Sequence, residues 1–313
     1  MTRTLRIMEA RGANLSHARR HGPPDPDPRS PDAMTGPIPP LAPTVRLRHG
    51  AEMPRLGFGT YPLDDTEAEH AVATAIENGY RLIDTAALYG NEIGVGRGLR
   101  GGGVAREELF VTSKLTKEQQ GTGTRRAVEE SCARLGTDHL DLYLIHWPDP
   151  AQDAYVETFR TLADLMGEGT LKAVGVSNFK PHHLDRIIET TGVVPDVNQI
   201  QLSPYHTRDG VRAHHEKLGI VTEAWSPLGR DGTVFAEEPV RRAAERHGRT
   251  PAQTVLRWHV QQGIVPVPKS GHSERMRENL DVFGFELTGA ELDEISGLDR
   301  GEASADDSDV IAH

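Results

Sequence analysis

A closed barrel of eight parallel strands, each followed by a helix, is the fold class this sequence predicts. Three observations point to it. From residue 55 onward, short apolar runs alternate with amphipathic stretches of helical period. Eight such strand-then-helix units fall within roughly 250 residues, which is what a (β/α)8 TIM barrel needs. No linker interrupts residues 55 to 300, whereas a doubly wound sheet, the main competitor, usually has fewer strands and often splits a chain of this length into two domains.

Residues 45–47 and 52–54 flank His49-Gly50 and read as a short N-terminal β-hairpin ahead of the barrel. Strands are expected at 56–59, 82–84, 109–114, 140–146, 171–177, 197–201, 220–225 and 264–267. Helical spacing covers 66–78, with Thr66 as cap and Gly79 as stop, then 91–100, 123–135, 154–166, 181–190, 208–218 and 251–261. A last barrel helix, 273–280, follows the final strand, and two extra helical stretches, 236–247 and 288–298, break the simple rhythm.

Residues 1–44 differ in kind. Within them GPPDPDPRSPDAMTGPIPPLAP, residues 22–43, is dense in proline and polar groups and shows no period. Such a segment buries too little apolar surface to fold, so 1–44 is expected to be a disordered extension and 45–313 a single domain. Arg19-Arg20 is not followed by the apolar run of an export signal. Met34 is a candidate translation start, an idea that native protein beginning upstream of it would exclude.

The net charge of −11 argues against a nucleic-acid binder, and the longest apolar runs are far too short for a membrane span. The single cysteine, Cys132, excludes a disulfide scaffold and points to the cytoplasm; its thiol reads as a small buried apolar group.

Barrel enzymes place their chemistry at the C-terminal ends of the strands. The predicted ends are Gly59-Thr60-Tyr61, Asp84, Lys114, His146-Trp147, Ser177-Asn178, Gln199-Ile200-Gln201, Trp225-Ser226 and Lys269-Ser270. Singly, each has an ordinary explanation: Asp84 an N-cap, Tyr89 packing, Lys114 a solvated cation, His146 a core histidine. Jointly, Asp84, Lys114 and His146 end strands, and Tyr89 lies in the short loop after Asp84. A phenol titrates near 10, too high for proton transfer at neutrality unless tuned. Lys114, held charged by Asp84, would favour the phenolate. The set could polarise a carbonyl oxygen and give it a proton, with hydride coming from a cofactor.

The cofactor's phosphate needs a site. GRGLRG, residues 96–101, fits G-x-G-x-x-G but ends a helical stretch where a nucleotide loop should begin one, and Gly101-Gly102-Gly103 makes it a helix stop. A better site is VPKSGHSERMRENL, residues 267–280: Lys269, Ser270 and Arg275 gather at a helix N-terminus, an anion site whose two cations suit NADPH/NADP+ over NADH. Trp225 could stack on the nicotinamide.

These segments together resemble the aldo-keto reductases. DTAALYGNE around Asp84 and Tyr89, TSKL with Lys114, HWP with His146, GVSNF, NQIQLSPY, WSPLG and PKSGHSERMRENL run in that family's order over about residues 44–300. The resemblance implies a barrel that binds NADPH without a dinucleotide fold. It implies Tyr89 as general acid, Lys114 and Asp84 as its tuning pair, and His146 as the group that orients substrate. It also implies nicotinamide contacts from Ser177, Asn178 and Gln199, cofactor contacts from Trp225, Ser226 and Leu228, a 2'-phosphate grip from Lys269, Ser270 and Arg275, and adenine contacts from Glu278 and Asn279. Gly59, Thr60 and Tyr61 would lie beside the nicotinamide, and Tyr61, Trp147 and Phe179, with Arg230, would shape an open substrate pocket. Within the family the chain looks most like bacterial 2,5-diketo-D-gluconate reductases; the open pocket suits small polar or charged carbonyl substrates, and the family at large implies a monomer.

Two other classes compete. One is a non-catalytic NADPH-binding regulatory subunit on the same fold; the other is a Schiff-base lyase using Lys114. Metal hydrolysis through His182-His183 or His214-His215 is set aside, because adjacent helical residues do not share a face, and these histidines are expected to be solvated.

Overall fold

The computed structural model describes residues 39–311, so the expectations for residues 1–38 lie outside it. Strands β1 (Thr44–Arg46) and β2 (Glu52–Pro54) form an antiparallel hairpin with Val45 opposite Met53. Eight parallel strands follow in chain order: β3 (Gly57–Gly59), β4 (Leu82–Asp84), β5 (Phe110–Leu115), β6 (Leu142–Ile145), β7 (Val174–Ser177), β8 (Val197–Gln201), β9 (Val221–Trp225) and β10 (Val265–Pro266). The arrangement is a (β/α)8 barrel. Its first and last strands meet where the Gly59 amide donates to the Pro268 carbonyl at 3.1 Å. A Cβ on Gly59 would stand 2.8 Å from the Val267 carbonyl oxygen, so the close approach there requires glycine.

The helices are α1 (Asp65–Glu77), α2 (Glu92–Gly101), α3 (Thr124–Leu135), α4 (Tyr155–Gly167), α5 (Pro181–Thr191), α6 (Asp209–Leu218), α7 (Glu238–His247), α8 (Pro251–Gln261), α9 (Ser273–Leu280) and α10 (Gly289–Ser296). Helices α7 and α10 are the two extras. The cap of α1 is Asp64, not Thr66: its carboxylate accepts from the Thr66 and Glu67 amides, and Glu67 reaches back to the Asp64 amide. An aspartate with glutamate three residues on satisfies two orphan donors, which a threonine inside the turn would not do.

Strand alternation assigns each side chain to one of two cores. Leu82, Phe110, Leu142, Val197 and Val265 open their strands and point inward, where Leu47 and Met53 of the hairpin join them and plug the barrel floor. The next residues, Ile83, Val111 and Tyr143, point outward and pack with Ala75, Val128, Phe159 and Ile187 of the surrounding helices. One step further, the inward direction returns at Asp84, at the top of β4. The same count along β5 brings Thr112 and Lys114 inward.

The glycines of 96–101 are explained by this helix layer. A Cβ on Gly98 would lie 2.7 Å from both the Glu69 carbonyl oxygen and the Val72 side chain, and one on Gly96 would lie 2.3 Å from the Leu135 carbonyl oxygen. They let α2 sit close against α1 and α3, and the helix ends at Gly102 with Gly103 at positive φ.

Candidate active site

Asp84, Lys114, Tyr89 and His146 meet at the C-terminal mouth of the barrel. The Lys114 Nζ donates to Asp84 Oδ1 at 2.8 Å, Asp84 Oδ2 at 2.9 Å and the Thr85 carbonyl at 2.9 Å. The Tyr89 hydroxyl lies 3.5 Å away on the remaining side. Lys114 is 0% exposed, so these groups constitute its surroundings. Tyr89 is carried by a 3-10 turn, Ala87–Tyr89, that closes at Gly90 in the left-handed region and leaves the ring half-buried beside His146, ring centroids 5.7 Å apart.

The electrostatics correct one expectation. Burial pushes the Tyr89 phenol above its usual value, and the downward pull of Lys114 does not fully offset it. Burial also works against the Lys114 charge, but Asp84 and then Tyr89 more than compensate and hold its ammonium firmly protonated.

The remaining rim residues knit the strand ends together. Asn178, at positive φ, donates through Nδ2 to the His146 carbonyl and to Ser177 Oγ, and accepts from the Trp225 indole at 2.8 Å. Ser177 Oγ donates to the Gln199 carbonyl. Thr60 is buried, its hydroxyl and amide both bonded to the Asp84 carbonyl. Tyr61 is 64% exposed and rests against Tyr89, ring centroids 5.1 Å apart. Trp225 and Ser226 are partly exposed, Arg230 lies over the Trp225 ring at 5.4 Å, and Leu228 packs down onto the core.

Phe179 departs from its expected role. It is 1% exposed, edge-on to Tyr155 and His183, and so belongs to the core between β7 and the helices rather than to a pocket wall. Trp147 is buried at the rim, its carbonyl accepting from Gln120.

At the other side of the mouth, Lys269 and Arg275 are exposed and make no ion pair among the described residues. They flank the start of α9, whose N-terminus has no side-chain cap, unlike those of α1, α8 and α10. Ser270 is buried, its hydroxyl accepting from the His272 amide. Glu278 is engaged by the Thr250 hydroxyl, and Asn279 is buried in the last turn of the helix.

The histidine pairs also differ from expectation. One member of each, His183 and His215, is buried. Desolvation pulls them down to about 4 and about 3. His182 and His183 lie 3.2 and 3.1 Å from Asp309 Oδ1, a metal-like spacing. However, the Lys180 ammonium already neutralises Asp309, and the Lys180 amide donates to His183 Nδ1, which puts the neutral ring's proton on Nε2, the atom that would have to ligate. Asp309 belongs to an acidic tail that straps the rim: Glu302 pairs with Arg208, Asp306 with Arg230, and Asp307 with Lys180.

One residue of the site carried no motif signal. Glu223 lies on β9 two residues before Trp225 and is 0% exposed. The Gln199 Nε2 donates both to its carboxyl at 2.7 Å and to Asp84 Oδ2 at 2.8 Å. Period-two reading of VTEAW would have placed it inward, beneath the mouth.

The family model described as Aldo/keto reductase family matches residues 55–300. The chain belongs to the aldo/keto reductase family. This reductase is 45% identical over 272 residues to 2,5-diketo-D-gluconic acid reductase B of a Corynebacterium species, covering 87% of this chain and 98% of that one. It is 45% identical over 266 residues to methylglyoxal reductase DkgA of Escherichia coli, covering 85% and 96%. Among solved structures, an aspartate-to-alanine mutant of Gox0644 in complex with NADPH superposes with a TM-score of 0.83 at 44% identity, covering 88% of this chain and all of that one. A Bombyx mori aldo-keto reductase in complex with NADP gives 0.77 at 34% identity, covering 83% and 93%.

Proposed function

We propose that this aldo/keto reductase uses NADPH to reduce the carbonyl group of small polar aldehydes and ketones, with Tyr89 as proton donor. The observation that carries the reading is Lys114, sealed between the Asp84 carboxylate and the Tyr89 hydroxyl at the barrel mouth. A phenol in a buried setting gives up its proton reluctantly. The adjacent ammonium stabilises the phenolate that forms as the proton leaves, and Asp84 keeps that ammonium charged. His146, beside the Tyr89 ring, offers an imidazole to the carbonyl oxygen and so orients it.

A reduced nicotinamide, when bound, supplies the hydride. The residues present suit such a cofactor. Lys269 and Arg275 are unneutralised cations at an uncapped helix start, the surroundings a phosphate monoester requires. Trp225 offers a partly exposed indole for stacking. Two cations beyond the helix amides favour NADPH over NADH. For the substrate, the exposed Tyr61 leaves the mouth open to solvent, and the relatives named for diketogluconate and methylglyoxal point to compact, polar dicarbonyls.

The test follows NADPH oxidation at 340 nm, the reduced nicotinamide band, with 2,5-diketo-D-gluconate, methylglyoxal, an aromatic aldehyde and a keto ester. Turnover by the wild type that is lost in Tyr89→Phe, with NADPH binding within about twofold of wild type, supports the reading. Tight NADPH binding without turnover on any carbonyl overturns it in favour of a cofactor-binding regulatory role.

A further inference from the structure

Gln199 has two amide hydrogens, and both are committed. One goes to Asp84 Oδ2 and one to Glu223 Oε2, at 2.8 and 2.7 Å. Two carboxyl oxygens facing one end of an amide identify that end as nitrogen, since the flipped amide would set its oxygen against the Asp84 carboxylate. The Gln199 Oε1 has no partner among the described residues, so it is what Gln199 can offer to a ligand. An oxygen accepts; it selects a ligand that carries an N–H donor. A nicotinamide carboxamide has one, through its NH2.

Glu223 has no structural reason of the usual kind to be here. It sits fully buried on the inward face of β9, its Oε1 without a hydrogen-bond partner, one layer above an apolar floor. Such a group is costly unless something requires it. The charged and titratable groups around it are Asp84 on β4, Lys114 on β5 and, beyond Lys114, Tyr89. One ammonium cannot balance two carboxylates, and burial together with Asp84 pushes the Glu223 carboxyl up to about 8.

We propose that Glu223 is a positioning residue: it holds the Gln199 amide with nitrogen inward and oxygen outward, and thereby sets the donor–acceptor match that recognises the carboxamide of the nicotinamide. It acts through Gln199 and touches neither the cofactor nor the substrate. The inference rests on the NADPH reading above, and the experiment separates the two.

The variants are E223Q and E223L. E223Q keeps an oxygen that accepts from Gln199 but has no charge; E223L has no acceptor and leaves the amide held by Asp84 alone, loosening its orientation. Binding of NADPH and of its reduced 3-acetylpyridine analogue, in which a methyl ketone replaces the carboxamide, is measured by quenching of protein fluorescence. The wild type should bind NADPH the more tightly. In E223Q that preference should stay within about twofold of wild type, and in E223L it should shrink by about three- to tenfold, the worth of one hydrogen bond. Reduction of methylglyoxal should show the loss in KM for NADPH rather than in kcat. A second readout does not depend on activity. Glu223 contributes stability that is full below the free-carboxyl value of 4.5 and is lost as pH rises toward about 8. The melting temperature of wild type relative to E223Q should therefore decline as pH rises between those limits.

Should E223L fail to fold, the E223Q binding ratio and its pH profile decide the matter. An unchanged preference in folded E223L, or an E223Q that loses the preference and keeps the pH profile of wild type, overturns the positioning role while leaving the reductase reading intact. A wild type that neither binds NADPH nor reduces any carbonyl overturns both.

Discussion

Lys114 holds its ammonium 2.8 and 2.9 Å from the two oxygens of Asp84, out of all contact with solvent. A sealed pair of this kind is hard to half-remove, because the partner left behind is an uncompensated buried charge, at about 3–5 kcal/mol. Asp84→Leu and Lys114→Met should each lower stability by that order in urea unfolding. The double variant should recover much of the loss. Turnover should be absent in all three, since none retains an ammonium held beside Tyr89. A double variant no more stable than the singles would show that the pair does not act as a unit.

The phosphate grip makes a prediction about cofactor choice. Arg275 has no ion-pair partner among the described residues, so removing its charge releases nothing else. Arg275→Ala should weaken NADPH by about 10- to 100-fold, the range for one charge-assisted contact of about 1.5–3 kcal/mol, and leave NADH nearly unchanged. Equal weakening of both would remove Arg275 from the 2'-phosphate.

Buried histidines set the acid limit. Burial pulls His215 down to about 3 and His259 to about 4 from a free value of 6.5. Each is neutral in the fold, so the stability it contributes is full above pH 6.5 and is lost as pH falls through the window toward 4 and then 3. Glu291, held down to about 2 with His247 beside it and Thr288 bonded to it, adds a further loss below 4.5. In E223Q, which lacks the opposing Glu223 titration, melting temperature should drop steadily from pH 7 to 4. A flat profile would mean these groups are solvated.

Gly94 tests the packing account of the glycine-rich helix. A Cβ there would fall 1.8 Å from the Asp65 carbonyl oxygen, a backbone atom that cannot step aside. Gly94→Ala should destabilise by about 1–3 kcal/mol or more without altering NADPH affinity. A selective loss of cofactor binding would return the segment to a nucleotide-binding role.

The barrel was legible because β/α alternation needs only the spacing of apolar residues, and the mouth was legible because strand ends are visible in the same pattern. Asp84, Lys114 and His146 all announce themselves as polar residues closing apolar runs. Glu223 does not. It sits inside its strand, where a carboxylate reads as an outward, solvated residue unless the inward phase is carried down from Trp225. Phe179 failed for the opposite reason: it follows Ser177-Asn178 at the rim, but Asn178 at positive φ redirects the chain and drops the ring into the core. His183 and His215 are buried against expectation because adjacency on a helix excludes a shared face without saying which member faces inward.

The acidic tail has a consequence for how such a rim can be altered. The tail meets cations on three stretches of the mouth: Glu302 pairs with Arg208 before α6, Asp306 with Arg230 after β9, and Asp307 and Asp309 both with Lys180 after β7. Loops and tail therefore form a matched set of opposite charges. Grafting one of these loops from a relative, without the tail that answers it, would leave acids clustered against no counter-charge. The portable unit for redesigning this mouth is the loop together with its tail.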